Sequence, residues 1–265
     1  MFSKFELALK YTYYYCTASN GRGHGIHSPF VFDFVAKILN DKNHYPSYDV
    51  IEELRGKLLK DETVLTVEDF GAGSVMDKAN QRSVSSIAKH AVKSKKYGQL
   101  FFRMAKAYKP QTILELGTSL GITTAYLISA DPAAKVITLE GAKAVAEKAK
   151  ENFAILNLSD IQLIEGNFDQ TLSSVIFQLS SVDLAFIDGN HRKEPTIEYF
   201  TSILSKINNF SIVILDDIHW SREMEEVWEY CKNHSSVTLS INLFFMGILF
   251  FRKEIREKQH FSIRF

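Results

Sequence analysis

One stretch, residues 112–140, limits what this chain can fold into: TILELGTSLGITTAYLISADPAAKVITLE. It opens with a short apolar run, Thr112-Ile113-Leu114-Glu115-Leu116, and breaks at a glycine-bearing turn, Gly117-Thr118-Ser119-Leu120-Gly121. A helical pattern follows, then a second apolar run, Val136-Ile137-Thr138-Leu139, closed by Glu140. Strand, tight turn, helix and strand make one βαβ unit. Glycines at such a turn let a ligand approach the backbone, and the helix start offers free N–H groups. An acid closing the second strand can accept from both hydroxyls of a ribose. Glu115 and Glu140 lie 25 residues apart, near the roughly 20 expected of a nucleoside cradle.

The glycine spacing separates two cofactor classes. A dinucleotide fingerprint reads G-x-G-x-x-G and seats a pyrophosphate on the helix N-terminus. Here the pattern is E-x-G-x-x-x-G, and the second, phosphate-hugging glycine is missing. The motif resembles the first motif of class I S-adenosylmethionine-dependent methyltransferases. The resemblance implies that Glu115 faces the methionine amino end, that Gly117, Thr118, Ser119 and Gly121 wrap the cofactor, and that Glu140 holds the ribose.

Further alternation supports an α/β reading. Residues 142–156 form an amphipathic helix pattern, and Ile161-Gln162-Leu163-Ile164-Glu165-Gly166 a strand ending in glycine. Residues 182–188 and 211–217 are apolar runs suited to strands buried on both faces. Residues 220–231 read as a helix, and 237–241 with 246–251 as antiparallel neighbours. Upstream, residues 97–110 (YGQLFFRMAKAYKP) form a helix leading into the first strand. A Gly-Gln helix opening, a proline and then ILELG resembles the small metal-dependent O-methyltransferases typified by catechol and caffeoyl-CoA O-methyltransferases. That likeness gives Gln99 and Leu100 a backbone role at the methionine part of the cofactor, and Gly166, Asn167, Phe168 and Asp169 a role around the adenine. On local grounds Asp169 reads equally well as a helix N-cap. The expected fold is α/β: a Rossmann-like doubly wound sheet of seven strands, mostly parallel with one antiparallel, behind an N-terminal helical extension. The division is 1–94 for the extension or lid and 95–265 for the cofactor-binding methyltransferase domain.

Ligands sit beyond the carboxyl ends of strands in open α/β sheets. Asp188, Asp216 and Asp217 fall at such ends. Three oxygen ligands suit Mg²⁺ or Ca²⁺, and the O-methyltransferase resemblance implies a divalent ion there that bridges substrate hydroxyls. Where that family has Asp-Asn, this chain has Asp216-Asp217. Either aspartate could instead cap the following helix, and Asp188 the helix before Glu198. Catechol-type enzymes carry a lysine base three residues after the aspartate of the fourth strand, whereas this chain has His191. Histidine titrates near neutral pH and can serve as general base. Asp188-x-x-His191 with Asp216-Asp217-x-x-Trp220 resembles the cephalosporin hydroxylase and sugar O-methyltransferase branch. His219 is a second candidate base. The implied substrate is a small-molecule hydroxyl.

The first 60 residues read as aromatic-rich helices. Phe2, Phe5, Leu9 and Tyr13 set a first apolar face; Ser28-Pro29 opens a second helix with face Phe30, Phe34, Ile38 and Leu39; a third spans about 48–59. These helices could cover the cofactor cleft, pair two subunits as a homodimer, or both. His24 and His27 flank a glycine-rich break and read as solvated or hydrogen-bonded. Val64-Leu65-Thr66-Val67-Glu68-Asp69-Phe70-Gly71-Ala72-Gly73-Ser74 also resembles a strand, acid and glycine turn, but no second strand ending in an acid follows it; it reads as an ordered loop near the substrate side. Lys89, His90, Lys93, Lys95 and Lys96 form a basic cluster, either a solvated helix face or a contact for an anionic or RNA substrate.

With 31 basic and 31 acidic residues the chain has zero formal net charge, so no global pull toward nucleic acid or an anionic membrane is expected. Cys16 and Cys231 form no motif and read as reduced thiols of a cytoplasmic protein. No run approaches the roughly 18 apolar residues of a membrane span, and the N-terminus carries no signal-peptide pattern. Competing readings are an RNA methyltransferase, a non-catalytic cofactor-binding protein and a nicotinamide-dependent oxidoreductase.

Overall fold

The computed structural model describes residues 1–23, 25–67 and 81–265. The chain divides into two compact units: residues 1–41 with 178–265, and residues 42–177. Glu68–Ser74 of the second glycine turn and His24 lie outside the described residues.

The discontinuous unit opens with α1 (Lys4–Thr17), started by a capping box in which Ser3 and Glu6 satisfy each other's backbone N–H groups. Its buried face is not the expected one. Phe5 is 72% exposed and Tyr13 73%, while Tyr14 and Ala18 are buried with Phe244, and Leu7 packs against them. The Tyr14 hydroxyl donates to the Ile263 carbonyl, and its ring packs on Phe244. Aromatics on every side of this helix make its periodicity degenerate, so tertiary contacts choose the face. α2 (Pro29–Phe34) starts at Ser28-Pro29 as expected, although the Ser28 side chain makes no cap bond. It continues as a π-helical turn (Val35–Leu39), which buries Val35, Ile38 and Leu39.

The contiguous unit begins with α3 (Pro46–Leu58). β1 (Val64–Thr66) and β2 (Gln81–Ser83) pair antiparallel as a separate ribbon. Then come α4 (Val84–His90), α5 (Lys95–Tyr108), β3 (Thr112–Leu116), α6 (Ile122–Ala130), β4 (Lys135–Glu140), α7 (Lys143–Ile155), β5 (Ile161–Glu165) and α8 (Phe168–Gln178). β3, β4 and β5 are parallel neighbours in that order, with Glu115 opposite Thr138 and Glu140 opposite Glu165. β4 is buried from Val136 to Leu139, and α6 from Ile122 to Ile128. A strand buried on both faces and a helix buried all round both need cover on every side. For α6, the cluster supplying it includes Tyr48, Ile51 and Leu54 of α3 and Phe102 of α5.

The discontinuous unit resumes with β6 (Leu184–Ile187), α9 (Lys193–Leu204), β7 (Ile212–Asp216), α10 (Arg222–Asn233), β8 (Leu239–Asn242), β9 (Met246–Phe250) and β10 (Gln259–Ser262). Its strand order is β10-β8-β9-β7-β6. β6 and β7 are parallel, β9 runs antiparallel to both β7 and β8, and β10 is parallel to β8. Besides the β1–β2 ribbon, the α/β strands number eight among the described residues, where the sequence predicts seven. The extra strand is β10, four residues of QHFS at a sheet edge. So short a run shows no period to read in sequence.

Candidate active site

The turn after β3 is strapped to the end of β4. The Gly117 and Thr118 N–H groups both donate to the Leu139 carbonyl, at 2.9 and 3.1 Å. Gly117 has φ 104°, Ser119 49° and Gly121 77°; glycine takes such values without cost and serine does not. Gly121 is also the N-cap of α6 and sits against Phe153, where a Cβ would lie 2.4 Å from Cε1. Strand and turn together bring the backbone of Ser119 to the Glu140 carboxylate. Oε2 accepts from the Ser119 N–H at 2.8 Å and Oε1 from the Ala142 N–H at 3.0 Å. The Gly166 N–H donates to the Glu140 carbonyl, which ties the third turn to the same place.

Glu115 is fully buried. Its Oε2 accepts from Thr124 at 2.5 Å and Thr138 at 2.7 Å, and Thr138 in turn meets Thr118 at 2.6 Å. This carboxylate therefore also fastens β3 to β4 and α6. Gln99 and Leu100 lie in the first turns of α5, Leu100 fully buried. Asn167, not Asp169, caps α8: its Oδ1 accepts from the Asp169 N–H and its carbonyl from Gln170 and Thr171. Phe168 is half-buried and Asp169 exposed at the first turn of α8.

A second constellation belongs to the discontinuous unit. Asp188, which follows β6, His191 and Asp216 at the end of β7 can each offer a ligand atom within 4.8 Å of the others. His191 Nε2 is 3.5 Å from Asp188 Oδ1. The connecting turn is tight: Asn190 and His191 have φ 70° and 51°, and the His191 N–H returns to the Gly189 carbonyl. Asn190 is held from both ends, donating to the Tyr199 hydroxyl and accepting from Arg192. Trp220 packs on the His191 ring, centroids 5.7 Å apart.

Asp217 is not one of the three clustered residues. It has φ 50°, its N–H donates to the Phe245 carbonyl and its own carbonyl accepts from Trp220. Neither aspartate of the pair caps α10, since Ser221 does so through the Met224 N–H, and Arg192 rather than Asp188 occupies the N-cap of α9.

His219 has both ring nitrogens engaged. The Asn242 amide oxygen accepts from the Phe244 N–H, so its Nδ2 must donate to His219 Nε2 at 3.0 Å. Nδ1 then carries the proton and donates to Glu225, 2.9 Å away, and Lys10 pairs with the same carboxylate. Burial pushes the imidazole pKa down, against the opposing pull of Glu225. Phe244, stacked on this ring, is a buried aromatic at φ 69°. Lys10, Glu225 and Asn242 were not legible as partners of His219, because they come from three other elements with no shared local motif.

Residues 114–218 match a family model described as a methyltransferase domain. A curated relative, the uncharacterized protein y4gI of Sinorhizobium fredii, is 25% identical over 178 residues, covering 61% of this chain but only 19% of that protein. Among solved structures, the SAH-bound methyltransferase PaMTH1 of Podospora anserina matches with TM-score 0.59 at 14% identity, over 95% of this chain and 97% of the other. The SAM-bound O-methyltransferase TomG of Streptomyces achromogenes, involved in tomaymycin synthesis, matches with TM-score 0.53 at 20% identity, over 61% and 82%. A Bacillus cereus O-methyltransferase in complex with SAH gives 0.54 at 17%, over 83% and 97%. These likenesses establish the α/β methyltransferase fold.

Proposed function

We propose, starting from a matched methyltransferase domain and a fold shared with SAM- and SAH-bound enzymes, that this chain transfers the methyl group of S-adenosylmethionine to a hydroxyl oxygen of a small molecule. The observation that carries the cofactor reading is the Glu140 carboxylate joined to the Ser119 N–H across the ends of β4 and β3. Oε2 and Oε1 each accept from one backbone N–H, and a carboxylate oxygen can also accept from a ribose hydroxyl. A dinucleotide is disfavoured because Ser119, with a Cβ and φ 49°, stands where the second fingerprint glycine would let a pyrophosphate approach. The remaining cofactor roles follow from the motif: Gln99 and Leu100 at the amino-acid end, and Asn167, Phe168 and Asp169 at the adenine.

Methyl transfer to oxygen requires an acceptor hydroxyl that loses its proton as it attacks the sulfonium methyl carbon, releasing S-adenosylhomocysteine. His191, flanked by Asp188, is the base in this reading. His219 fits a structural role better, because both its nitrogens are taken. Two carboxylates and an imidazole also form a donor set that fits a divalent cation. The imidazole moves the preference from Mg²⁺ or Ca²⁺ toward Mn²⁺, Fe²⁺ or Zn²⁺. Such an ion, held by Asp188, His191 and Asp216, would supply Lewis-acid activation of the hydroxyl in place of the general-base role of His191.

Among the described residues no helix is long and apolar enough to cross a membrane; a cytoplasmic location is part of this proposal. So is a homodimer, which we place on the exposed ridge Phe5, Leu9 and Tyr13 of α1. A sedimentation shift to monomer in Tyr13→Glu tests it. Residues 1–94 would include the cover that excludes water during transfer, tested by protection from proteolysis on adding S-adenosylhomocysteine.

The deciding experiment is calorimetry with S-adenosylhomocysteine and with nicotinamide dinucleotides, followed by mass spectrometry of a hydroxyl-acceptor panel. Binding of the first ligand alone, with a methyl-mass gain on an alcohol or phenol, is expected. Binding of the dinucleotide instead would overturn the reading.

A further inference from the structure

The start of α5 is not fixed by its own cap. Ser94 occupies the N-cap position, but its side chain makes no cap hydrogen bond. The backbone there is gripped from outside by three residues. Arg55 of α3 donates from Nη1 to the Lys93 carbonyl at 2.5 Å. The Tyr48 hydroxyl reaches the Gln99 carbonyl at 3.5 Å. Gly98 lies flat on the ring of Tyr126, where a Cβ would sit 2.4 Å from Cε2.

These contacts close on one another. Arg55 Nε donates to Glu52 Oε1 at 2.9 Å, and the same oxygen accepts from the Tyr126 hydroxyl at 2.7 Å. Burial, and then Glu52, push the Tyr126 phenol pKa up, which keeps its O–H a donor. Arg55 is only 8% exposed. One carboxylate thus orients both the guanidinium that holds the chain ahead of α5 and the ring on which α5 rests.

We propose that Arg55 is a positioning residue for the amino-acid end of the cofactor, acting by fixing the backbone from Lys93 to Leu100. This rests on the cofactor reading above, in which the backbone at Gln99 and Leu100 meets the methionine moiety. Two features favour this role over a purely scaffolding one. First, Nη2 is buried without a hydrogen-bond partner among the described residues, a cost that an apolar replacement of the whole network would avoid. Second, the grip uses the fork of the guanidinium: Nε to a side chain and Nη1 to a backbone carbonyl, in fixed relative geometry. A lysine ammonium keeps the charge but not that geometry.

The test compares two ligands on the full chain. S-adenosylhomocysteine carries the amino-acid end; 5′-methylthioadenosine shares the nucleoside and lacks it. Calorimetry is run on wild type, Arg55→Lys, Gly98→Ala and Glu140→Ala, with circular dichroism to verify folding. Arg55→Lys should weaken S-adenosylhomocysteine roughly tenfold, the scale of a lost hydrogen bond to a charged group, and leave 5′-methylthioadenosine unchanged. Gly98→Ala, which pushes α5 off Tyr126 from the other side, should give the same selective loss. Glu140→Ala should weaken both ligands. Equal weakening of both ligands by Arg55→Lys, or of neither, overturns the positioning role while leaving the cofactor reading intact. No binding of either ligand to wild type overturns the cofactor reading itself.

Discussion

Replacing Glu140 by glutamine turns one carboxylate oxygen at the heart of the cradle into an amide NH₂. The carboxylate now accepts from Ser119 and Ala142 through different oxygens, at 2.8 and 3.0 Å. A glutamine can keep one of these bonds. Its amide NH₂ must then face the other backbone N–H, donor against donor, and cannot accept from a ribose hydroxyl. One ribose bond to a charged acceptor disappears and the other becomes neutral. Hydrogen bonds to charged groups contribute about 1.5–3 kcal/mol each. Losing one and weakening the second should therefore cost about 2–4 kcal/mol in cofactor binding, or roughly 30- to 1000-fold in Kd. The assay is calorimetry with S-adenosylhomocysteine and with its 2′,3′-dideoxy analogue, which has no ribose hydroxyls. Glu140→Gln should weaken the first and leave the second within about twofold. Wild-type binding of S-adenosylhomocysteine by the folded variant, or equal weakening of both ligands, would refute the ribose role of Glu140.

Other perturbations probe separate parts of the molecule. Gly121→Ala forces a left-handed φ on alanine, about 1–2 kcal/mol, and drives its Cβ into Phe153, about 1–3 kcal/mol more; thermal unfolding should show the sum as a clearly lowered Tm. Asp188→Ala should abolish Mn²⁺ binding in equilibrium dialysis, whereas Asp217→Ala should not, because Asp217 stands outside the cluster of Asp188, His191 and Asp216. His219 is held below its ordinary value of 6.5 by burial, so the unfolded chain takes up its proton first. Its contribution is intact above pH 6.5 and is lost as pH falls toward the depressed folded value. His219→Gln should flatten the acid side of a stability-versus-pH curve, and an unchanged curve would refute the assignment.

The central βαβ unit was readable in sequence because its signals are local and agree. Apolar runs mark β3 and β4, glycines mark the turn, and one acid closes the second strand. The adjoining polar details were less legible. Asn167 and Asp169 are both good caps on paper, and only the fold shows that Asn167 does the capping. The buried face of α1 is ambiguous in sequence, since Phe5, Leu9 and Tyr13 form as good a stripe as Leu7, Tyr14 and Ala18. What buries the second set is Phe244, more than 200 residues away. Asp216 and Asp217 are chemically identical neighbours, and a left-handed φ at Asp217 separates their roles. Sequence spacing cannot reveal such a switch, nor the engagement of His219 by Asn242 and Glu225.

One unit of this protein is assembled from both arms of the chain: α1 is tied to residues near 263 through Tyr14 and through the bridge between Ser19 and Ile263. During synthesis those partners cannot meet until the second arm has left the ribosome. The contiguous unit, residues 42–177, is complete much earlier. Closing a free loop of roughly 140 residues costs about 4 kcal/mol in chain entropy beyond a constant term. If the intervening unit has already folded, that loop is a compact body rather than a coil. The order of emergence therefore favours a nascent protein in which the Glu140 cradle forms first, while the contacts of Tyr14 and Ser19 await the residues around Ile263.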